Sequence, residues 1–207
     1  MTHKLTHGDN CDVMIGSLNE DVELLRQSLN SLPQPQVKPP LIVVSGLPGT
    51  GKSFFCHKLA ERLTVPILAS DTLRKTLFPY PQYKESENKR LFSACHALIE
   101  ELLRKGIPVI FDATNLLEHH REYLYRAAER TEAKLILVWV EAPTEVVRQR
   151  LLAREKADIP QDDSEADWKV YTKMKPRREK FSRNHFVVDT SQDITAVIDK
   201  IARATKR

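Results

Sequence analysis

The segment Gly46-Leu-Pro-Gly-Thr-Gly-Lys-Ser53 has the residue types and the spacing that bind a chain of phosphates. Glycines let backbone N–H groups converge on phosphate oxygens without a Cβ in the way. The helix expected to start at Lys52 adds partial positive charge at its first residues. The Lys52 ammonium can reach the β- and γ-phosphates of a nucleotide, and the Ser53 hydroxyl can bind Mg²⁺. A glycine-rich turn without a ligand is the alternative, which the complete motif disfavours. The predicted nucleotide-binding residues are Gly46, Leu47, Pro48, Gly49, Thr50, Gly51, Lys52, Ser53 and Phe54.

A second polar group, Ser70-Asp-Thr-Leu-Arg74, follows a predicted strand and so lies at the carboxyl end of the expected sheet, where ligands bind in such folds. Asp71 can accept the proton of an acceptor hydroxyl group. Arg74 lies one helical turn further on and can bind an anionic group of the acceptor. The alternative is that Ser70 or Asp71 caps the helix and that Arg74 lies in solvent.

Asp112 ends another apolar run, Val109-Ile-Phe-Asp112, which is followed by Ala-Thr-Asn115. A carboxylate at this position is expected to act on the Mg²⁺ shell or on the substrate. Ser53 and Asp112 are therefore the predicted metal-binding residues. The alternative is a carboxylate that caps the loop.

Three arginines, Arg148, Arg150 and Arg154, lie on one predicted helix. Arg150 and Arg154 are four residues apart and share a helix face, so both can point at the same anion. Guanidinium groups suit the negative charge that spreads over a transferring phosphoryl group, which predicts a catalytic role for this pair. An isolated pair of this kind more often marks a solvated face.

A strongly basic stretch, Lys169 to Arg183, holds seven Lys or Arg residues against one Glu, with Trp168, Tyr171 and Phe181 interleaved or adjacent. Cations mixed with aromatic rings suit a single-stranded nucleic acid, because phosphates are neutralised and bases stack. The same spacing also fits aromatic rings that belong to the core and cations that lie in solvent. This second interpretation is slightly favoured.

Short apolar runs alternate with amphipathic stretches from residue 41 onward. Strands are predicted at 41–45, 65–69, 108–112, 134–140 and 185–189. Helices are predicted at 52–63, 71–77, 86–105, 117–131, 143–156, 163–175 and 193–204. Strands that are almost wholly apolar are typical of a parallel sheet covered on both faces. The pattern therefore predicts a three-layer α/β fold with right-handed crossovers.

The first 40 residues are expected to form an appendage to the main domain at 41–207. Apolar residues at helical spacing from Leu18 to Leu32 predict a helix over 15–32, and a proline-rich connector over 33–40 ends it. The helix either docks on the same chain, which is the favoured interpretation, or binds a partner.

Composition excludes several classes of protein. The chain has 207 residues, a formal net charge of +4 and three cysteines. No apolar run approaches the roughly 20 residues of a membrane span, and the polar start lacks the apolar part of a secretory signal. Three scattered cysteines make neither a disulfide framework nor a zinc site. We expect a cytoplasmic protein whose positive charge mildly favours anionic partners.

The order of these motifs resembles that of P-loop kinases of the polynucleotide 5′-kinase type, a group that includes AAA-like predicted kinases. The resemblance spans about residues 42 to 190 and rests on Gly-x-Pro-Gly-x-Gly-Lys-Ser, Ser-Asp-x-x-Arg, Asp-Ala-Thr-Asn followed by Arg121, and Arg-x-x-x-Arg. It implies a five-stranded parallel sheet in the order 2-3-1-4-5 and a helical lid at about 148–180.

The resemblance also implies roles for individual residues. Asp71 corresponds to the general base and Arg74 to the residue that contacts the acceptor phosphate. Lys52 and Ser53 correspond to residues that bind ATP and Mg²⁺, and Arg150 and Arg154 to lid arginines that clamp the ATP phosphates. The matched substrate-binding residues are Arg74, Asp112, Thr114, Asn115 and Arg121.

Three functions remain open on this evidence. The leading hypothesis is an ATP- and Mg²⁺-dependent kinase that phosphorylates a hydroxyl group, with the 5′-hydroxyl of a single-stranded nucleic acid as one candidate acceptor. A kinase for a sugar, metabolite or antibiotic on the same scaffold is the second. A nucleotide-dependent regulatory binding module is the third. The guanine-binding tetrapeptide Asn/Thr-Lys-x-Asp of GTPases does not occur in the sequence.

Overall fold

The computed structural model describes residues 7–29, 31–157 and 166–206. The strands are β1 (Pro40–Ser45), β2 (Ile67–Ala69), β3 (Val109–Asp112), β4 (Lys134–Glu141) and β5 (Phe186–Asp189). The helices are α1 (His7–Gln27), α2 (Lys52–Leu63), α3 (Ser70–Leu77), α4 (Glu85–Arg104), α5 (Glu118–Arg130), α6 (Thr144–Ala157), α7 (Trp168–Met174) and α8 (Thr195–Lys206). None of the helices in these ranges is long and apolar enough to cross a membrane.

The strands form one parallel sheet in the order β2-β3-β1-β4-β5, which confirms the predicted fold class and strand order. β1 lies at the centre of this sheet, and all six of its residues are buried. A strand covered on both faces has to be apolar throughout, and this explains the uninterrupted run that ends at Ser45. Because all strands run the same way, the loops that follow them meet at one edge.

Helices cover both faces of the sheet. Leu41 and Val43 point to one face, where they join a core built with α1, α3, α4 and α5. Ile42 and Val44 point to the other face, where they join a core built with α2 and α8. Because side chains alternate between the two faces of β1, the sheet packs against a layer of helices on each side, which makes three layers in all.

Some predicted boundaries differ from the observed ones. β2 begins at Ile67 and not at residue 65; Pro66 has no N–H to give to a ladder, although its carbonyl accepts a 3.0 Å hydrogen bond from the Ile110 amide. α7 begins at Trp168, where the Asp167 carboxylate accepts a 2.7 Å hydrogen bond from the Val170 amide as an N-cap. The part of the predicted helix at 163–165 lies outside the described residues.

The helix α1 starts earlier and ends earlier than the predicted range of 15–32. It packs against α3 and α4 of the same chain through buried Val22 and Leu25. Asp21 is only 1% exposed, and its carboxylate accepts hydrogen bonds of 2.7 and 2.6 Å from the Arg90 guanidinium on α4. Burial of an apolar side chain such as Leu25 contributes roughly 1.5–3 kcal/mol, and the ion pair compensates the burial of the carboxylate.

Candidate active site

The glycine-rich segment connects β1 to α2 as a tight loop, which we call the P-loop (residues 46–53). Its helix begins at Lys52, as the sequence predicts. Gly49 adopts φ +74°, and a Cβ at this position would lie 2.9 Å from the Leu151 side chain and 3.0 Å from that of Val147. The P-loop therefore packs directly on α6 with no space for a larger residue.

Hydrogen bonds within the chain fix the shape of the P-loop. The Thr50 hydroxyl donates to the Leu47 carbonyl at 2.8 Å, and the Lys52 ammonium lies 3.3 Å from the same oxygen. The Gly46 amide donates to the Thr114 carbonyl at 3.2 Å. The loop after β3 thus supports the P-loop from the side, through its backbone.

Ser53 and Asp112 meet at the carboxyl edge of the sheet. Ser53 lies in the first turn of α2, and Asp112 ends β3, the strand beside β1, where it lies opposite Val44 in the ladder. The Ser53 hydroxyl donates a 2.9 Å hydrogen bond to the Asp112 carboxylate. Asp112 is 5% exposed. One hydroxyl and one carboxylate beside a phosphate-binding loop are the donor set that Mg²⁺ takes together with phosphate oxygens and water. These two side chains fit the metal that the sequence predicts.

Cys56 on α2 lies next to this pair. Burial raises the pKa of its thiol well above the usual value, and the nearby Asp112 carboxylate raises it further. The thiol is thus protonated at neutral pH and belongs to the core on the α2 side of the sheet.

The two predicted catalytic arginines on α6 have different partners. Arg150 donates to the Thr190 hydroxyl at 2.8 Å and to the Thr190 carbonyl at 2.9 Å. Arg154 donates to the carbonyl of Ala166, immediately before Asp167, the N-cap residue of α7. Sequence reasoning missed Thr190, whose one available signal is its position directly after β5, at the ligand-binding edge.

On the other side of the P-loop, α3 begins at Ser70, and Ala69 takes the N-cap position. Asp71 lies in the first turn and is partly buried. Arg74 is only 5% exposed, so the alternative that places it in solvent is wrong. The N-cap residue of α3 is thus Ala69, whereas the capping alternative gives this position to Ser70 or Asp71.

The Arg74 guanidinium lies in a polar and aromatic enclosure. Its Nη2 donates to Asn88 Oδ1 at 2.6 Å, its Nη1 lies 3.8 Å from the Glu87 carboxylate, and its central carbon lies 4.8 Å from the centre of the Tyr83 ring. Nε and Nη1 are buried and have no hydrogen-bond partner among the described residues. A buried donor in this state costs about 1–3 kcal/mol, which an anion at the site would recover.

The loop between α3 and α4 covers Arg74. Tyr83 has φ +55°, an unfavourable backbone conformation for a bulky residue. The Glu87 carboxylate accepts hydrogen bonds from the Gln82 amide at 3.0 Å and from the Tyr83 amide at 2.8 Å, and these bonds hold the strained residue in place.

The structure does not bring Arg121 to the surface of the site, so its assignment to the substrate is corrected. The residue is 0% exposed. Its guanidinium donates to the Asn115 carbonyl at 2.7 Å and to the Lys180 carbonyl at 2.9 Å, and it lies 4.3 Å from the centre of the Phe181 ring. Arg121 therefore joins α5 to the segment after α7.

The neighbouring Asn115 is also held inside the protein. It is buried, has φ +44°, and donates from Nδ2 to the Val44 carbonyl at 3.3 Å. Thr114 contributes its backbone carbonyl to the P-loop, as described above. These contacts give both residues a supporting role in the loop after β3.

The aromatic rings of the basic stretch belong to the core at the carboxyl edge. Tyr171 is 3% exposed and stacks on Trp168 at 5.0 Å, and Phe181 packs edge-on against Trp139 at 6.2 Å. Tyr171 is therefore closed to a stacking base, whereas Trp168 and Phe181 are only partly buried. The cations of the stretch are exposed, namely Lys169, Lys173, Lys175, Arg177, Arg178, Lys180 and Arg183.

The sheet order, the P-loop between β1 and α2, and the Ser53–Asp112 pair define a kinase-like P-loop domain that binds nucleotide. Residues 41–181, more than half of the chain, match the model of a family described as an AAA domain, and the chain belongs to this family. The expected kinase-like P-loop class is thereby confirmed.

Known proteins similar to the chain include kinases. A segment of 91 residues is 32% identical to the adenylate kinase isoenzyme 6 homolog of Drosophila melanogaster, and the match covers 44% of this chain and 48% of that relative, or about half of its length. Kti12 of Chaetomium thermophilum, solved in complex with ADP-AlF3, has a TM-score of 0.66 at 22% identity and covers 80% of this chain and 99% of its own. APS kinase CysC of Mycobacterium tuberculosis, solved with AMPPNP and APS, has a TM-score of 0.61 at 15% identity, covering 84% and 100%. Both structural likenesses concern the fold.

Proposed function

We propose that the protein is an ATP- and Mg²⁺-dependent kinase that transfers the γ-phosphoryl group of ATP to a hydroxyl group of an acceptor. The observation that carries the proposal is the meeting of two sets of residues at one edge of the sheet. Lys52, Ser53 and Asp112 suit a nucleotide, and Asp71 and Arg74 lie on the far side of the P-loop, after β2. A protein that only binds nucleotide has no need of the second set.

Each residue has a chemical task in this scheme. Lys52 neutralises the β- and γ-phosphates, and Arg150 and Arg154 stabilise the negative charge that spreads over the transferring group. Asp71 takes the proton of the attacking hydroxyl as general base. Ser53 and Asp112 hold Mg²⁺, which neutralises phosphate charge when it is bound.

The acceptor is proposed to carry an anionic group close to its reactive hydroxyl. Arg74 supports this, because two of its buried nitrogens lack hydrogen-bond partners among the described residues and sit one helical turn from Asp71. A phosphate or sulfate group satisfies such a guanidinium through paired hydrogen bonds. The APS bound in the structurally similar APS kinase is an anionic small molecule of this kind.

A polynucleotide with a 5′-hydroxyl and a small phosphorylated or sulfated metabolite both meet this requirement. The exposed cations between Lys169 and Arg183 favour the longer polyanion, whereas the burial of Tyr171 leaves fewer rings on which bases could stack. Use of ATP accords with the cytoplasmic location that the composition predicts.

The experiment is transfer from ATP labelled at the γ-phosphate to a panel of acceptors. The panel holds 5′-hydroxyl oligonucleotides, nucleosides with and without a 3′-phosphate, other nucleoside monophosphates, sugars, sugar phosphates and alcohol-bearing antibiotics. The label should appear in an acceptor with an anionic group, and only with Mg²⁺ present. Hydrolysis of ATP without transfer to any member would instead favour the regulatory module.

A further inference from the structure

Thr190, the first residue after β5, joins the P-loop to α6. Its hydroxyl donates a 2.6 Å hydrogen bond to the Thr50 carbonyl in the P-loop and accepts a 2.8 Å bond from Arg150 Nη1. Its carbonyl accepts a second bond from Arg150 Nη2 at 2.9 Å. The buried Thr190 therefore connects the Arg150 guanidinium to the backbone of the P-loop.

The turn that carries Thr190 is itself fixed. The Thr190 amide donates to the Glu141 carbonyl at the end of β4, at 3.0 Å. The preceding Asp189 carboxylate accepts bonds from the Ser191 amide at 2.9 Å and from its hydroxyl at 2.7 Å, and these bonds hold the pKa of Asp189 below its usual value. These hydrogen bonds fix the backbone of Thr190 at the end of β5.

The guanidinium of Arg150 lies against the P-loop. A Cβ on Gly51 would lie 2.9 Å from the Thr190 hydroxyl and 3.3 Å from Arg150 Nη1, and Gly51 has φ +86°. Only glycine fits here, because any side chain would push Thr190 and Arg150 away. The two bonds to Thr190 leave Arg150 further N–H donors, since a guanidinium carries more than these.

We propose that Thr190 is a positioning residue that holds Arg150 beside the P-loop in the orientation that meets the charge of the transferring phosphoryl group. The inference rests on the proposed phosphoryl transfer. A cation placed before the reaction needs no reorganisation when the charge develops, and its side-chain entropy is already lost. Arg154, one turn further along α6, donates to the carbonyl of Ala166.

A purely structural role is the competing explanation, in which Thr190 only supports the Thr50 carbonyl. The two explanations differ in a double-mutant cycle. If Thr190 acts through Arg150, its replacement has no further effect once Arg150 is gone. If it acts through the P-loop backbone, the two losses add.

The measurement is the affinity for ADP with Mg²⁺, alone and with aluminium fluoride, by calorimetry, because the second ligand imitates the transferring group without requiring an acceptor. Thr190→Val and Thr190→Ala remove the hydroxyl, Thr190→Ser retains it, and Arg150→Met removes the guanidinium. Thr131→Val is the matched control, since its hydroxyl also donates to a backbone carbonyl, Ala127, at 2.8 Å, at the end of α5.

We expect Thr190→Val and Thr190→Ala to weaken the aluminium fluoride complex about tenfold and to change the affinity for ADP alone less than about twofold. Thr190→Ser and Thr131→Val should stay near the wild type, and Thr190→Val should add nothing to Arg150→Met. Four results would each overturn the proposal. Two concern Thr190→Val: a loss of affinity that adds to that of Arg150→Met, or an equal loss of affinity for ADP alone. The others are a Thr190→Ser variant that binds as weakly as Thr190→Val, and a wild type whose affinity for ADP does not change with aluminium fluoride. The expected affinities in a protein that phosphorylates no acceptor would support Thr190's role and contradict the kinase function.

Discussion

The two sides of the site differ in their internal hydrogen bonds. The nucleotide side consists of side chains that all hydrogen-bond to other groups of the chain, namely Thr50, Lys52, Ser53 and Arg150. On the acceptor side, Arg74 keeps two buried nitrogens without a hydrogen-bond partner among the described residues. Thr50, Lys52 and Ser53 belong to a loop packed directly on α6, the helix that carries Arg150, whereas Arg74 lies beneath a loop that contains a strained tyrosine. These four side chains of the nucleotide side have partners within the chain, while the Arg74 guanidinium keeps unused donors.

The difference shows where the protein depends on its ligands. Internal hydrogen bonds on the nucleotide side fix Ser53, Asp112 and Arg150 before any phosphate arrives, which lowers the entropy cost of binding. On the other side, the charge of Arg74 faces the Glu87 carboxylate at 3.8 Å, but two of its buried nitrogens keep donors that the proposed acceptor would satisfy. The predictions below test this contrast.

The largest effect is expected for Lys52→Ala. The variant removes the ammonium that reaches both the β- and the γ-phosphate, so we expect phosphoryl transfer to fall by at least about 10³-fold. The rate is measured with labelled ATP at saturating acceptor. Lys58→Ala, at an exposed position on the same helix, is the matched control and should transfer at the wild-type rate. Rates near the wild type for Lys52→Ala would mean that the P-loop is not the catalytic nucleotide site.

A smaller effect is expected for Arg74→Met. Removal of the guanidinium should raise KM for the acceptor about tenfold or more and leave the affinity for ATP unchanged. The free energy of unfolding should also fall, by about 1–3 kcal/mol, because the variant loses the hydrogen bond to Asn88 and the contact with Glu87.

Arg90→Met provides the matched control for that variant. Arg90 pairs with the buried Asp21 carboxylate, so its loss should lower the free energy of unfolding by about 2 kcal/mol or more without changing KM for the acceptor. Urea unfolding and acceptor titration measure the two effects. A large stability loss for Arg74→Met with an unchanged KM would make Arg74 a structural residue like Arg90.

The smallest effect concerns acid stability at α4, the helix whose Glu87 and Asn88 contact Arg74. His96 on α4 stacks on Tyr123 with 5.4 Å between ring centres, and burial, followed by the charge of His120, lowers its pKa to about 4. The unfolded chain keeps a pKa of roughly 6.5, so it binds more protons than the folded chain between these values. The free energy of unfolding should therefore fall as the pH falls from about 6.5 to about 4, by at most about 1.4 kcal/mol per pH unit.

His96→Phe retains a ring between Tyr123 and Phe111 and should reduce this loss between pH 7 and pH 5, measured by urea unfolding. His57→Asn, at an exposed position on α2, should leave the pH dependence unchanged. An identical pH dependence in His96→Phe and in the wild type would show that another group causes the acid loss.

The contrast between the two sides also explains what the sequence could predict. The P-loop is a continuous motif whose conformation depends on its own glycines, and Asp112 follows an apolar strand, so both were found from local patterns. The Arg150–Thr190 contact joins residues 40 positions apart, and a single threonine after a strand has no distinctive pattern. The contact between Thr190 and Arg150 follows from the position of β5 at the edge of the sheet, which only the tertiary structure gives.

Arg121 shows the opposite failure. Its place after Asp-Ala-Thr-Asn suggested contact with the substrate, but its guanidinium binds the nearby Asn115 carbonyl and those of Glu179 and Lys180, which are 58 and 59 positions away. Motif order carries no information on burial, and a fully buried arginine needs partners that only the tertiary structure supplies. The boundaries of α1 and α7 differed for a similar reason, because packing and capping determine where a helix ends.

The most direct test of a site with two functional sides is Asp71→Asn. The substitution keeps the shape of the side chain and removes its basicity, so transfer to the acceptor should fall by at least about 10²-fold. Calorimetry should show an unchanged affinity for ATP, and Tm should match that of the wild type. Near-normal transfer to an identified acceptor, or a loss of ATP affinity equal to the loss of transfer, would contradict the account.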